Sequence, residues 1–211
     1  MTNFIPVFPL NIVVYPDETL NLHIFEPRYK QMVKECMEEK KPFGLPPAVD
    51  KAIFQDLGTL MEVVEIAKEY EDGSMDIRTM GVKVFCILTP VSEIPEKLYS
   101  GAIVNYPDNT LDRGNHKLGQ NVVEEVKRLY ALLNVPEKFP DITEGSLSYK
   151  IGHFVGLSLE QEYELLGLFT ELQRLEYIRR HLNNIVPVIK ELEEMKERIQ
   201  RNGHFRNLSL N

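Results

Sequence analysis

Several features that would indicate chemistry are scarce in this sequence. The two cysteines, Cys36 and Cys86, fall on different predicted elements, so they predict neither a disulfide nor a paired metal site. The five histidines show none of the short spacings that bind zinc. No G-x-x-x-x-G-K-[ST] loop is present to hold a nucleotide phosphate. The sequence therefore predicts no metal, no cofactor and no ATP hydrolysis.

Positive charge and long apolar runs are lacking too. The formal net charge is −8, and residues 1–110 hold 17 acidic against 10 basic side chains, so no basic face is predicted for nucleic-acid phosphates. No apolar run is long enough to span a membrane, and the N-terminus has no basic segment typical of a signal peptide. We therefore predict a cytoplasmic protein that binds neither nucleic acid nor membrane.

The first half of the chain has β patterns around one early helix. Residues 12–15, IVVY, are β-branched or aromatic and predict a strand buried on both faces. Residues 20–24 alternate between apolar and polar, which predicts a second strand. Pro27 is suited to the first turn of a helix, and the apolar residues after it recur with helical spacing. The stretch therefore predicts strand, turn, strand and helix.

A hairpin follows this opening stretch. Residues 58–70 and 75–88 are β-rich and flank Asp72 and Gly73, a pair suited to a tight turn. Gly81 within the second run indicates a bulge or a close backbone crossing, and residues 100–106 predict a last strand. Short strands with many turn residues favour a small closed or half-closed β-barrel. We assign it to residues 1–109.

The second half changes to helical periodicity. Residues 110–119 predict a linker or loop, and residues 120–211 a helical subdomain. Ser158 and Thr170 begin capping-box patterns, and the second precedes a long helix that Pro187 is expected to kink or split. The apolar seam over residues 172–199 can pack within its own bundle or against a second copy. The fold class is therefore α+β.

Three groups of residues are candidates for chemistry or binding. Ser146, Ser148 and Lys150 could form a Ser-Lys dyad, but helix capping and surface solvation explain them better. Glu26, Pro27, Arg28 and Tyr29 lie at a strand-to-helix junction. There Glu26 and Arg28 are expected to form a structural pair, while Arg28 and Tyr29 could instead line a groove for an extended peptide. The third group is a proline-rich edge that could accept a partner strand; it comprises Phe43, Leu45, Pro46 and Pro47.

The order of these motifs resembles the N-terminal, substrate-binding domain of the Lon protease family. The matching runs are FPL, VVYP, LHIFEPRY, GTLMEVVEI and DGSMDIRTMGVKVFCI, followed by ELQRLEYIRRHL in the helical part. The EPRY helix start and the KPFG after it resemble stand-alone bacterial members most. The resemblance extends over roughly residues 4–200 and implies a PUA-like pseudo-barrel with one early helix, followed by a small helical bundle.

The resemblance also implies a function without catalysis. A full protease of this family carries an ATPase module and a Ser-Lys peptidase module, and this sequence has room for neither. We therefore predict a non-enzymatic module that binds exposed or unfolded polypeptide or serves as an adaptor for a separate protease. A homodimer is a further expectation. The alternative is a small-molecule pocket on the barrel, since other PUA-like barrels hold ligands.

Overall fold

The computed structural model describes residues 3–49, 52–53, 56–110, 116–135, 142 and 145–206. The chain forms two compact units, which we call the β unit and the helical unit. The β unit comprises residues 1–110 and 157–169, and the helical unit comprises residues 111–156 and 170–211. Residues 157–169, which lie within the predicted helical subdomain, thus group with the sheet.

Eight strands and five helices are present in these described residues. They are β1 (Asn3–Pro6), β2 (Thr19–Ile24), α1 (Pro27–Glu39), β3 (Phe43–Leu45), β4 (Ala48–Val49), β5 (Ala52–Ile53), β6 (Leu57–Glu69), β7 (Met75–Val91), β8 (Gly101–Asn105), α2 (His116–Leu132), α3 (Leu147–Gly152), α4 (Leu159–Leu166) and α5 (Glu171–Arg206). The predicted second strand, early helix, hairpin and last strand are confirmed. The α+β class is confirmed as well.

The sheet of the β unit closes on itself. Its antiparallel path runs β1-β8-β7-β6-β3, and β2 pairs with the first part of β7. Residues 7–10 continue from β1 along the outer edge of β3, where Val7 bridges Gly44 in parallel and the Phe8 amide donates to the Gly44 carbonyl at 2.8 Å. Because β3 is paired on both sides, the strands form a closed pseudo-barrel.

This closure corrects the prediction of an open edge at residues 43–47. Phe43 is 0% and Leu45 1% exposed, and Pro46 is buried too. The Leu10 amide donates to the Pro46 carbonyl at 3.3 Å, so the backbone of this segment already has a neighbour. The prolines at positions 46 and 47 predicted an open edge, but residues 7–10 of the same chain cover it. A partner strand cannot pair there without displacing residues 7–10.

The predicted strand over residues 12–15 is also wrong. Ile12 is half-buried and residues 13–15 are buried, but the segment is irregular because its polar groups bond outside a ladder. The Thr59 hydroxyl donates to the Val14 carbonyl, and the Tyr15 amide donates to the Glu18 carboxylate at 2.8 Å. A buried segment that pairs with no strand has the same apolar sequence pattern as a buried strand, so the pattern alone could not distinguish them.

Gly81 explains why the barrel can pass so close to this segment. A Cβ at position 81 would lie 2.3 Å from the Tyr15 carbonyl oxygen, so only glycine fits without movement. The pairing of β6 with β7 also shifts register here, because Leu60 faces Lys83 whereas Met61 faces Gly81. Both parts of the prediction, a bulge and a close backbone crossing, are confirmed.

Helix α1 covers one end of the barrel core. Its buried face packs with residues from four strands; the helix residues are Tyr29, Met32, Val33 and Cys36, and their partners include Ile24, Phe43, Leu45, Met61, Met75 and Ile77. Pro27 is at the first helical position, as the sequence predicts. Helix α4 is fastened to the same unit, since the Leu57 amide donates to the Tyr163 hydroxyl at 3.1 Å. Packing of α1 positions the strand-to-helix junction described below.

The helical unit contains α2, α3 and α5. Leu175, Ile178 and Leu182 of α5 are buried, so this part of the seam packs within the unit. Pro187 does not split α5, which continues on both sides of it because one missing backbone bond leaves the neighbouring turns intact. Residues 116–119 of the predicted linker are helical and begin α2, whereas residues 111–115 lie outside the described residues.

Candidate functional site

The junction between β2 and α1 brings Glu26, Arg28 and Tyr29 together. Arg28 donates to the Glu26 carboxylate from Nε at 2.9 Å and from Nη2 at 2.7 Å, so the expected pair is present. The Arg28 guanidinium carbon also lies 4.4 Å from the centre of the Tyr29 ring, within range of a cation–π contact. Both charged side chains keep more than a third of their surface exposed. The pair is therefore accessible to a ligand.

A groove of about 470 Å³ opens beside this junction. Its buried floor includes Val7, Phe8 and Tyr29, and the rings of Phe8 and Tyr29 lie 3.9 Å apart. Residues that are more exposed form its sides and rim; they are Pro9, Leu10, Asn11, Glu26, Arg28, Pro90, Val91, Ser92 and Ser100. We call this surface the junction groove.

The polar groups of the junction groove can both donate and accept hydrogen bonds. Within the described residues, the Tyr29 hydroxyl has no hydrogen-bond partner. Burial raises the pKa of Tyr29 and Arg28 opposes this, so the phenol remains protonated near neutral pH and can donate. Arg28 uses two of its nitrogens on Glu26, and a guanidinium has five N–H donors in all. The Glu26 carboxylate adds an acceptor.

The sequence identified only part of this surface. Arg28 and Tyr29 line the groove, whereas Phe43, Leu45 and Pro46 are buried beneath the barrel surface and present no binding side chain. The segments 7–11, 90–92 and 100–101 were missed as site residues. Pro9 and Pro90 carried the available signal, since prolines mark where a chain leaves regular pairing.

A second polar cluster lies on the outer face of the hairpin. His23 Nδ1 is 2.6 Å from one Asp76 oxygen, and the Tyr70 hydroxyl donates to the other at 2.7 Å. These bonds lower the pKa of Asp76. His23 is exposed, as the sequence predicts. His23 is in β2, Asp76 is in β7 and Tyr70 directly follows the end of β6, so the cluster ties these three strands together.

A third cluster is buried inside the helical unit. The Glu171 carboxylate accepts from the Ser146 hydroxyl at 2.5 Å, and from the Ser148 hydroxyl at 2.6 Å and its amide at 2.9 Å. Arg174 donates to Glu171 at 2.9 Å and to the Ser148 hydroxyl at 2.8 Å. Ser146 and Ser148 are therefore buried, which corrects the prediction of surface solvation. Every polar group shown has a partner, so the cluster is structural.

The remaining reactive groups form no site. Among the described residues, no three His, Cys, Asp or Glu side chains are grouped to hold a metal ion. Both cysteines are free thiols. Burial raises the pKa of Cys36 to about 12, and Glu35 and Glu39 act in the same direction. Burial raises the pKa of Cys86 as well.

Cys36 is expected to resist alkylation in the folded chain. At about pH 8 a thiol with so high a pKa is almost entirely protonated, and only the thiolate attacks iodoacetamide. Mass spectrometry of the Cys86→Ser variant should show no label on Cys36 until denaturant is added. Native labelling as fast as labelling in denaturant would mean that α1 does not cover the barrel core.

Fold and groove together define a class: a closed antiparallel β unit with one helix after its second strand, joined to a helical unit. The sequence model of the ATP-dependent protease La (LON) substrate-binding domain matches residues 5–184. The chain belongs to this family. In the described part of the chain, no helix has both the length and the apolar character needed to cross a bilayer.

Solved structures of the same family share the fold. A Lon N-terminal domain protein from Xanthomonas campestris has a TM-score of 0.66 and 21% identity, covering 84% of this chain and 98% of that one. The N-terminal domain of a Mycobacterium avium complex Lon protease has a TM-score of 0.60 and 14% identity, covering 86% and 98%. At identities this low, the similarity to these structures establishes only the fold of this chain.

One curated relative has a different description. A DNA polymerase from Methanocaldococcus jannaschii is 25% identical over 180 residues. The match covers 81% of this chain but only 11% of the polymerase. The chain thus spans about a ninth of that protein, which is too little to bring polymerase activity to it.

Proposed function

We propose that this chain is a non-catalytic module that binds exposed or extended polypeptide through the junction groove. The observation that carries the proposal is an apolar groove floor beside hydrogen-bonding groups of both kinds at residues 26–29. The family description, a substrate-binding domain of a protease, supports the same reading.

An extended polypeptide matches the chemistry of this groove. Its apolar side chains would remove Leu10, Pro90 and Val91 from water, which contributes about 25 cal/mol for each Å² buried. Its backbone offers a carbonyl acceptor and an amide donor at every residue. The Tyr29 hydroxyl and Arg28 would donate to carbonyls, and the Glu26 carboxylate would accept from an amide. Such contacts recognise backbone and apolar character rather than one sequence.

Binding of the polypeptide as an added strand of the sheet is less favoured than binding in the groove. β3 is already paired on both sides, as described above. The 62–69 part of β6 carries two register shifts against β7, and four of its eight residues are charged. Bulges and charges are the features that keep edge strands from pairing with other chains. We therefore place the polypeptide in the groove.

An adaptor role follows naturally from such binding. A module that holds unfolded segments without cleaving them can present them to a separate protease, and a cytoplasmic location would suit it. Binding of the probe described below tests the first step. Its delivery to a protease would then appear as faster cleavage of that probe.

The alternative is a small molecule in the same groove. Its volume of about 470 Å³ falls within the range of roughly 300–1,000 Å³ for ligand pockets. A compact ligand would fit within the groove, whereas an extended polypeptide would also contact the surface beyond its ends. The two functions differ in one measurement, because an extended probe of about six residues should bind more tightly than its dipeptide pieces only if polypeptide is recognised.

Tyr29→Phe and Arg28→Ala are expected to weaken polypeptide binding. Each substitution removes hydrogen-bond donors from the groove. Loss of one hydrogen bond from an uncharged group, as in Tyr29→Phe, should raise the dissociation constant of the probe about fivefold. The probe is fluorescently labelled, reduced and carboxymethylated lactalbumin, which stays unfolded. Fluorescence anisotropy gives its dissociation constant.

Matched substitutions elsewhere in the β unit serve as controls. Tyr70→Phe and Arg78→Ala make the same chemical changes outside the groove and should leave the dissociation constant unchanged. Ser92→Trp should block the groove with a bulky ring, whereas Thr89→Trp, on an exposed position outside its lining, should not. Equal losses in groove and control variants would contradict the assignment of the site.

A further inference from the structure

Helix α5 extends beyond the bundle that it helps to form. Val186 is the last buried residue among its described side chains, yet the helix continues to Arg206. Among the described side chains after Val186, four large apolar residues are more than half exposed: Val188, Leu192, Met195 and Ile199. The segment is therefore suited to packing against another helix.

The exposed residues follow a heptad repeat. Ile185, Leu192 and Ile199 are seven residues apart, at a positions, and Val188 and Met195 each follow three residues later, at d positions. This spacing makes the a and d seam of a two-stranded coiled coil. The seam starts where packing within the helical unit ends. We call residues 185–199 the α5 seam.

Charge along this segment selects the direction of a partner helix. Residues 190–194, KELEE, are net acidic, whereas residues 196–201, KERIQR, are net basic. Two parallel copies would place like charges side by side, but two antiparallel copies place acidic beside basic. The segment is thus complementary to itself in the antiparallel direction.

The heptad register identifies the pair of charges that would meet. In an antiparallel coiled coil with a residues opposite d residues, Leu192 faces Met195 of the second copy and Val188 faces Ile199. Glu191 and Arg198 occupy g positions, which lie opposite each other in this register. Neither of them forms an ion pair in the described part of the chain. Each dimer would contain this pair twice.

From these observations, we propose that the α5 seam joins two copies of this chain as an antiparallel coiled coil. An apolar groove of about 380 Å³ continues the interface, since Ile185 and Ile189 line it with Leu133 and Phe154. In this register the last turns of the partner's α5 lie beside that groove. The helices overlap over about 18 residues, or roughly 27 Å, which gives an interface near the lower size limit of about 1,000 Å². A reversible dimer in the micromolar range is expected.

Sedimentation velocity over about 1–300 µM, the range in which so small an interface dissociates, tests the dimer. Leu192→Asp should weaken dimerisation at least ~100-fold, because each dimer loses two buried leucines. Leu172→Asp is the matched control, since Leu172 is as exposed on the same helix but lies outside the α5 seam. Circular dichroism checks that both variants keep their helices. A chain that is monomeric throughout, or a dimer indifferent to Leu192→Asp, would overturn the proposal.

Charge reversal tests the antiparallel direction. Glu191→Arg alone and Arg198→Glu alone should each weaken the dimer about tenfold, because each places like charges opposite one another twice. Mixing the two single variants should give a heterodimer as stable as the original, since every facing pair is then attractive. Failure of the mixture to form a heterodimer more tightly than either homodimer would overturn the antiparallel arrangement.

Discussion

Replacing Arg174 with alanine is expected to destabilise the helical unit by about 3–5 kcal/mol, the usual effect of breaking a buried ion pair. Arg174 and Glu171 are 0% and 1% exposed. Without the guanidinium, the Glu171 charge would stay buried with only neutral donors around it. Urea unfolding, followed by circular dichroism at the helical signal, gives the free energy of unfolding.

The size of this effect comes from the connections of the cluster. Glu171 holds the start of α3 through the Ser148 amide, and Arg174 packs 4.2 Å from the centre of the Tyr149 ring. Loss of Arg174 therefore loosens both α3 and the first turns of α5. Hydrogen exchange should show faster exchange in residues 147–152.

Arg179→Ala is the control for this experiment. Arg179 lies on the same helix and also pairs with a glutamate, Glu176, at 2.7 Å, but this pair is partly exposed to water. Water screens exposed pairs, so the variant should unfold as the original chain does. A similar loss in both variants would contradict a special role for the buried cluster. Replacing both Glu171 and Arg174 by apolar residues should be less damaging than Arg174→Ala, because no lone charge remains.

Gly81→Ala is expected to destabilise the β unit by about 2–4 kcal/mol, as overpacking against a fixed backbone does. The added methyl group would lie 2.3 Å from the Tyr15 carbonyl oxygen and 3.2 Å from Thr59 Cγ2. Neither backbone can retreat easily, because Gly81 exchanges hydrogen bonds with Asp17 and Glu18 at 2.8 Å. Hydrogen exchange of β6 and β7 measures the change.

Met80→Ala provides the comparison on the same strand. Met80 is 43% exposed, so the loss of its side chain removes few buried contacts. Its effect on exchange should be much smaller than that of Gly81→Ala. If Gly81→Ala were equally mild, residues 12–15 would have to move freely against β7, contrary to the structure.

Local patterns predicted most of the β unit. The alternation of residues 20–24, the proline at position 27 and the Asp-Gly turn each correspond to a backbone requirement within a few residues. Such requirements are visible in a sequence because they involve only neighbours. Residues 12–15 failed because burial alone, without a ladder, gives the same apolar run. The closure of β3 by residues 7–10 depends on a contact between distant segments, which no local pattern records.

In the candidate site too, the features set by neighbouring residues were predicted and those set by distant contacts were not. Arg28 and Tyr29 were predicted as candidates because a strand-to-helix junction places polar groups at a surface. The other side of the groove comes from residues 90–92 and 100–101, which only the closed barrel brings near. Similarly, Glu171 and Arg174 are a charged pair three residues apart on a helix. Their burial depends on where α3 packs, and nothing in their spacing shows it.

Amide-resolved NMR of the isotope-labelled chain, titrated with a short unfolded peptide, tests most directly whether the junction groove binds polypeptide. The account predicts saturable shifts confined to residues 7–11, 26–29, 90–92 and 100–101. Tyr29→Phe should weaken the titration, whereas Tyr70→Phe should not. Absence of shifts, or shifts centred on another surface such as the α5 seam, would contradict it.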